Sequence, residues 1–214
     1  MTTKKDYLRF IPLGGTGEVG KNMLVFETNT SMIIVDAGIS FPSPDMLGVD
    51  LIAPDVEFLK TKKNKIKALI ITHGHEDHIG AVAYLLSNIN IPVIYGTRFT
   101  MGLVEHKLKE AKIKANIKIV AAGDVVEAGD FSVEYVQNTH SIPDTCGLYI
   151  KTPAGSIYHT SDFKLDPTPI DGRKTDFERL SRMDSSGREM VNLSRPSSSL
   201  SRHSESRFFK VSAN

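Results

Sequence analysis

Short apolar runs alternate with polar breaks along this chain, and the period of each run predicts its element. Leu8 to Leu13 reads as a first strand, closed by the glycine-rich turn Gly14-Gly15-Thr16-Gly17-Glu18-Val19-Gly20. Met23-Leu24-Val25-Phe26-Glu27 and Met32-Ile33-Ile34-Val35-Asp36 flank the polar Thr28-Asn29-Thr30-Ser31 and predict a β-hairpin. Phe41-Pro42-Ser43-Pro44 through Pro54 reads as loop, and Asp55 to Leu59 as a short helical turn. Ile66 to Ile71 is a β-branched, buried strand, followed by a helix over Ile79 to Leu86 and a strand at Pro92-Val93-Ile94-Tyr95. Phe99, Leu103, Val104 and Leu108 recur at helical spacing, so Thr97 to Lys114 predicts an amphipathic helix. Ile117 to Val120 is a strand, Asp124 to Asp130 a turn around Gly129, and Phe131 to Val136 a strand with alternating faces. Leu148-Tyr149-Ile150 and Ser156 to His159 predict a hairpin around Pro153-Ala154-Gly155. Strand–helix alternation mixed with hairpins predicts an α/β fold, a mixed sheet with helices on its outer face.

The densest chemistry sits at one strand end. Thr72-His73-Gly74-His75-Glu76-Asp77-His78 follows the Ile66–Ile71 strand and precedes the predicted helix, so three histidines and one aspartate share a tight loop. His73 and His75 can turn two imidazoles toward one point, and Asp77 and His78 can face a second point beside it. Imidazole nitrogen and carboxylate oxygen are zinc's usual non-sulfur donors. Two such centres about 3.5–4 Å apart make a dinuclear hydrolytic site. A structural requirement would not pack four donors into one loop.

A second motif misleads. Gly15-Thr16-Gly17-Glu18-Val19-Gly20 fits G-x-G-x-x-G after a strand, with Asp36 downstream at a distance suited to a ribose contact. A dinucleotide site needs a helix N-terminus next, and a hairpin follows instead. The glycines therefore serve a backbone turn passing close to the metal site.

These motifs, with Val35-Asp36-Ala37-Gly38, Phe41-Pro42, Asn138-Thr139-His140-Ser141-Ile142-Pro143-Asp144 and His159-Thr160-Ser161-Asp162-Phe163-Lys164, resemble the ribonuclease J family. That family is the β-CASP branch of the metallo-β-lactamase superfamily, whose signature is His-x-His-x-Asp-His. The likeness runs from about Leu8 to Met183 and implies the N-terminal part of an αββα sandwich. By resemblance, His140 joins His73 and His75 on one metal, Asp77 and His78 hold the other, and Asp162 bridges both. Asp36 would brace the His loop, and Asp77 would orient the attacking water or take its proton. The implied cofactors are two divalent ions, zinc first, with manganese also suited to the donors. The implied activity is endonucleolytic and 5′-3′ exonucleolytic cleavage of RNA, in processing and decay, by a metal-activated hydroxide. Such sites also hydrolyse thioesters, so another hydrolase of the same fold and a non-catalytic remnant are the competing readings. The implied partners are RNA and, for a full-length form, a second copy or another ribonuclease J. His106, His159 and His203 fall outside the matching motifs and read as structural or solvated.

Composition adds little to this. The 214 residues carry a net charge of +1, which makes no global case for nucleic acid. The lysines of residues 60–67 and 107–118 read as solvated faces. The single cysteine, Cys146, excludes an internal disulfide and reads as a small core residue. No apolar run approaches the roughly 18 residues of a membrane helix, and residues 1–6 lack a signal peptide's apolar core. A cytoplasmic protein, without membrane contact, is the expectation.

After Met183 the character changes. Residues 184–214 hold ten serines and few aliphatics, which predicts disorder. The expectation is residues 1–183 as the N-terminal part of a metallo-β-lactamase domain, then a tail read in a shifted frame. Such a truncated form would be weakly active or inactive, with one sheet face uncovered.

Overall fold

The computed structural model describes residues 5–184. The expected disordered or frameshifted tail, and His203 within it, lie outside the described residues apart from Asp184.

Among the described residues, ten strands form two sheets. The first runs β1 (Arg9–Gly14), β2 (Met23–Glu27), β3 (Met32–Val35), β4 (Ile66–Ile70), β5 (Ile94–Thr97) and β6 (Ile117–Val120), in that spatial order. Strands β1 to β3 pair antiparallel, and β3 to β6 pair parallel. The parallel pairs need crossovers, supplied by α1 (Glu57–Thr61), by α2 (Glu76–Ile79) with α3 (Val82–Asn88), and by α4 (Arg98–Glu110). The second sheet is an antiparallel meander of β7 (Val125–Ala128), β8 (Phe131–Gln137), β9 (Cys146–Thr152) and β10 (Gly155–His159). Helix α5 (Phe177–Asp184) closes the described chain.

Why two layers of core arise is legible in β3. Every residue of Met32–Val35 is buried, as a strand covered on both faces must be. Met32 and Ile34 join Met23, Leu69, Met101 and Val104 beneath the helices. Ile33 and Val35 point the other way, to Phe131, Tyr135, Leu148 and Ile150 of the second sheet.

Three expectations need correction. Val125–Ala128 is a strand, not part of a turn; its partner across Gly129 supplies the pairing that four residues alone could not signal. The helix expected over Ile79–Leu86 is two helices, broken around Gly80 and Ala81. The second sheet's outer face is covered in part, where Leu180 and Met183 of α5 pack with Val136, Tyr149 and Tyr158, and Arg179 pairs with Glu134.

One ion cluster was hidden in the sequence. Glu27 is fully buried and accepts from Lys62 Nζ at 2.6 Å, Lys65 Nζ at 3.0 Å and Arg9 at 3.2 Å. Two lysines of the 60–67 run are therefore occupied. Burial alone would raise the Glu27 pKa, but the hydrogen bonds and charges of Lys62 and Lys65 outweigh it and hold it below its usual value. Its stabilisation is fully present above the unfolded value of 4.5 and is lost as pH falls through the folded one. Glu27→Gln is expected to destabilise the fold by about 1–3 kcal/mol at pH 7. Urea titrations should show that difference shrinking below pH 4.5.

Candidate metal centre

The predicted donors gather beyond the carboxyl ends of strands along one edge of the two sheets, with Asp77 and His78 on α2 rather than in the expected loop, because the helix starts at Glu76. β3 ends in Asp36, β4 in the His loop, β8 in the loop carrying His140 and β10 in the loop carrying Asp162. Hydrogen bonds from backbone and from the Asn138 side chain lock the loops together. Cys146 N–H donates to the Thr72 carbonyl at 3.1 Å, and the Asn138 amide donates to the Thr160 carbonyl at 2.9 Å. Ala37 N–H reaches the His78 carbonyl at 2.8 Å. A methyl on Gly38 would lie 1.6 Å from the Asp77 carbonyl, so that position admits only glycine.

The side chains converge in two groups, His73 with His75 and His140, and His73 with His78 and Asp162, each with donor atoms within 4.8 Å of one another. His75 Nδ1 lies 3.1 Å from His73 Nε2 and 3.1 Å from His140 Nε2. A tetrahedral zinc with bonds of 2.0–2.1 Å holds its ligand atoms about 3.3 Å apart, so this spacing fits. Asp162 Oδ2 stands between the groups, 3.6 Å from His78 Nε2 and 3.8 Å from His140 Nε2. Asp77 belongs to neither triad but borders the second, with Oδ2 3.7 Å from His78 Nε2.

What aims these rings is Asp36. It takes the left-handed φ of 61°, which aspartate tolerates better than most residues. Its Oδ1 accepts from Thr72 N–H and its Oδ2 from the Thr72 hydroxyl, both at 2.8 Å. Oδ2 also lies 2.8 Å from His78 Nδ1. With its hydroxyl hydrogen given to Asp36, Thr72 Oγ1 accepts from His73 Nδ1 at 3.0 Å. Both imidazoles are thereby held by Nδ1, and both turn Nε2 to the pocket. Ser141 Oγ lies 3.4 Å from His75 Nε2 and leaves His75 Nδ1 facing inward. Tying the far nitrogen of a ligand histidine in this way fixes tautomer and direction.

The pocket's charge state is set by the same groups. Burial, and then the neighbouring histidines, push His73 far below the usual histidine range. Burial also dominates for His140 and lowers it. His78 would fall through burial too, but Asp36 and Asp162 outweigh that and raise it to about 10. Asp162 is held below its usual value, chiefly by its interaction with His78. The donor types fit divalent ions: neutral imidazoles on one side, and on the other His78 beside carboxylates, where an ion would take the place of the His78 proton.

The sequence profile described as the metallo-beta-lactamase superfamily matches residues 16–187. The chain belongs to the metallo-beta-lactamase superfamily. It is 44% identical over 188 residues to Ribonuclease J of Synechocystis sp., covering 86% of this chain and 29% of that protein. Ribonuclease J of Thermus thermophilus is 44% identical over 191 residues, covering 86% and 33% respectively. This superfamily member thus spans about a third or less of the length of these relatives. Among solved structures, a protein of unknown function from Enterococcus faecalis aligns with TM-score 0.62 and 17% identity, over 84% of this chain and 47% of that one. The metallo-beta-lactamase fold protein YhfI from Bacillus subtilis aligns with TM-score 0.53 and 16% identity, over 77% and 66%. These structures support the fold alone. Among the described residues no helix is long and apolar enough to cross a membrane.

Other singled-out residues belong to neither triad. His106 is exposed on α4, 3.7 Å from Glu110, and His159 stacks edge-on against Phe26. Cys146 is buried, and burial raises its thiol to about 12, which keeps it protonated. Thr72, Ser141, Ser161 and Asn22 were not legible as site residues, because each acts on a histidine or carboxylate only through the fold.

Proposed function

We propose that the chain is a metal-dependent hydrolase whose substrates are RNA phosphodiesters, cleaved internally and from the 5′ end. The observation that carries this reading is the pair of donor triads sharing His73, at strand ends, in a chain 44% identical to proteins named Ribonuclease J. His73, His75 and His140 would hold one ion, Asp77 and His78 would hold the second, and Asp162 would serve both. The nitrogen-rich first set favours zinc, and manganese also suits the second. Divalent ions there would supply Lewis acidity, making a water nucleophilic at neutral pH.

The chain's own groups do the rest. Asp77 has a side chain 38% exposed at the pocket mouth, where it orients an incoming water or accepts its proton. Asp36 keeps His73 and His78 aimed, directly or through Thr72. The RNA grip is weak by contrast. Net charge is +1, and Lys62, Lys65 and Lys107 are already paired with Glu27 and Glu76. Low RNA affinity is therefore expected.

Purified chain loaded with zinc or manganese should cleave a 5′-monophosphorylated RNA oligonucleotide slowly. Chelation and His75→Ala should each abolish the activity. Cleavage of a thioester but not of RNA would transfer the site to the thioesterase reading. Turnover of neither substrate would leave a non-catalytic metal-binding chain.

A further inference from the structure

Of the pocket side chains outside the predicted donors, one contacts two of those donors at once. Asn22, which follows the glycine turn, places Nδ2 3.1 Å from Asp77 Oδ2 and 3.1 Å from His78 Nε2. Its backbone is pinned to the same loops. Asn22 N–H donates to the Asp77 carbonyl at 3.0 Å, and its own carbonyl accepts from Gly38 N–H at 3.0 Å. The other end of the amide lies against the glycine turn. A Cβ on Gly15 would stand 2.4 Å from Asn22 Oδ1, and Gly15 has a φ of +82°, which disfavours a side chain in any case.

These contacts explain a motif that the metal site alone leaves over. The turn that imitates a dinucleotide fingerprint is open at Gly15 so that an amide can reach between it and the His loop. Asp77 needs such a partner more than the histidines do. His73 and His78 are almost fully buried and held through Nδ1, whereas the Asp77 side chain is 38% exposed. Without the amide, this carboxylate would rotate into solvent, and ordering it on an ion would cost rotamer freedom.

We propose that Asn22 is a positioning residue for the second ion. Its amide N–H holds Asp77 Oδ2 at the pocket, and Gly15 is glycine to admit that amide. The inference rests on the two-ion reading given above. A purely structural Asn22 would affect both ion sites or neither, whereas a positioning Asn22 affects one.

The test is calorimetric titration of Zn2+ into the chelator-treated full chain. Asn22→Ala and the similarly sized Asn22→Leu should bind the first ion as the wild type does. They should bind the second about 10- to 100-fold more weakly, the range for removing a hydrogen-bond partner of a ligand. Gly15→Ala should show the same selective loss. The unchanged first site reports that each variant is folded. Wild-type affinity for the second ion in Asn22→Ala would overturn the proposal, and so would its retention in Asn22→Leu, since space-filling would then suffice. A wild-type chain binding fewer than two ions would instead remove the reading beneath it.

Discussion

Asp162→Ala is expected to slow phosphodiester cleavage by about a thousandfold or more, roughly 4 kcal/mol of lost transition-state stabilisation. Among the described residues, the Asp162 carboxylate is the one that approaches histidines of both groups, at 3.6 Å from His78 and 3.8 Å from His140. Its removal therefore weakens both ion positions. The side chain is 41% exposed, so the fold itself should be little affected. Asp162→Asn, which keeps the shape and loses the charge, should fall between. Steady-state cleavage measured beside bound metal checks this. A rate within tenfold of wild type, with both ions retained, would contradict it.

Asp36→Ala carries the second large effect, and it falls on the fold. The buried carboxylate takes the Thr72 N–H, the Thr72 hydroxyl and His78 Nδ1, each at 2.8 Å. Alanine leaves those groups buried without their partner, a loss of about 3–5 kcal/mol. A further ~1 kcal/mol arises because alanine tolerates the left-handed backbone less well than aspartate. Against a typical total of about 5–15 kcal/mol, the variant would be marginal. Asp36→Asn keeps the backbone preference and should be less severe. Urea denaturation in the presence of chelator measures the effect without any contribution from bound ions. A loss below 1 kcal/mol would mean that Asp36 is not the brace described here.

The candidate donors were legible because most of them are local. His73, His75, Asp77 and His78 fall within six residues, where spacing alone announces chemistry, and His140 and Asp162 came through resemblance. The supports were not legible. Thr72 is an ordinary polar residue until the fold places Asp36, 36 residues earlier in the chain, within 2.8 Å of its hydroxyl. Asn22 likewise reaches Asp77 across 55 residues. Lys62 and Lys65 read as solvated because Glu27, their buried partner, is 35 and 38 residues away. The strand Val125–Ala128 escaped notice because half its residues are exposed and its length is four. Hydrophobic period announces the elements, while side-chain relays exist only once the elements are packed.

The most direct test of the central claim is the number of zinc ions bound per chain at saturation, by elemental analysis of the wild-type protein after gel filtration. Two ions, falling to at most one in His75→Ala, is the predicted result. One ion or none in the wild type would contradict the dinuclear centre, and the proposed hydrolysis with it.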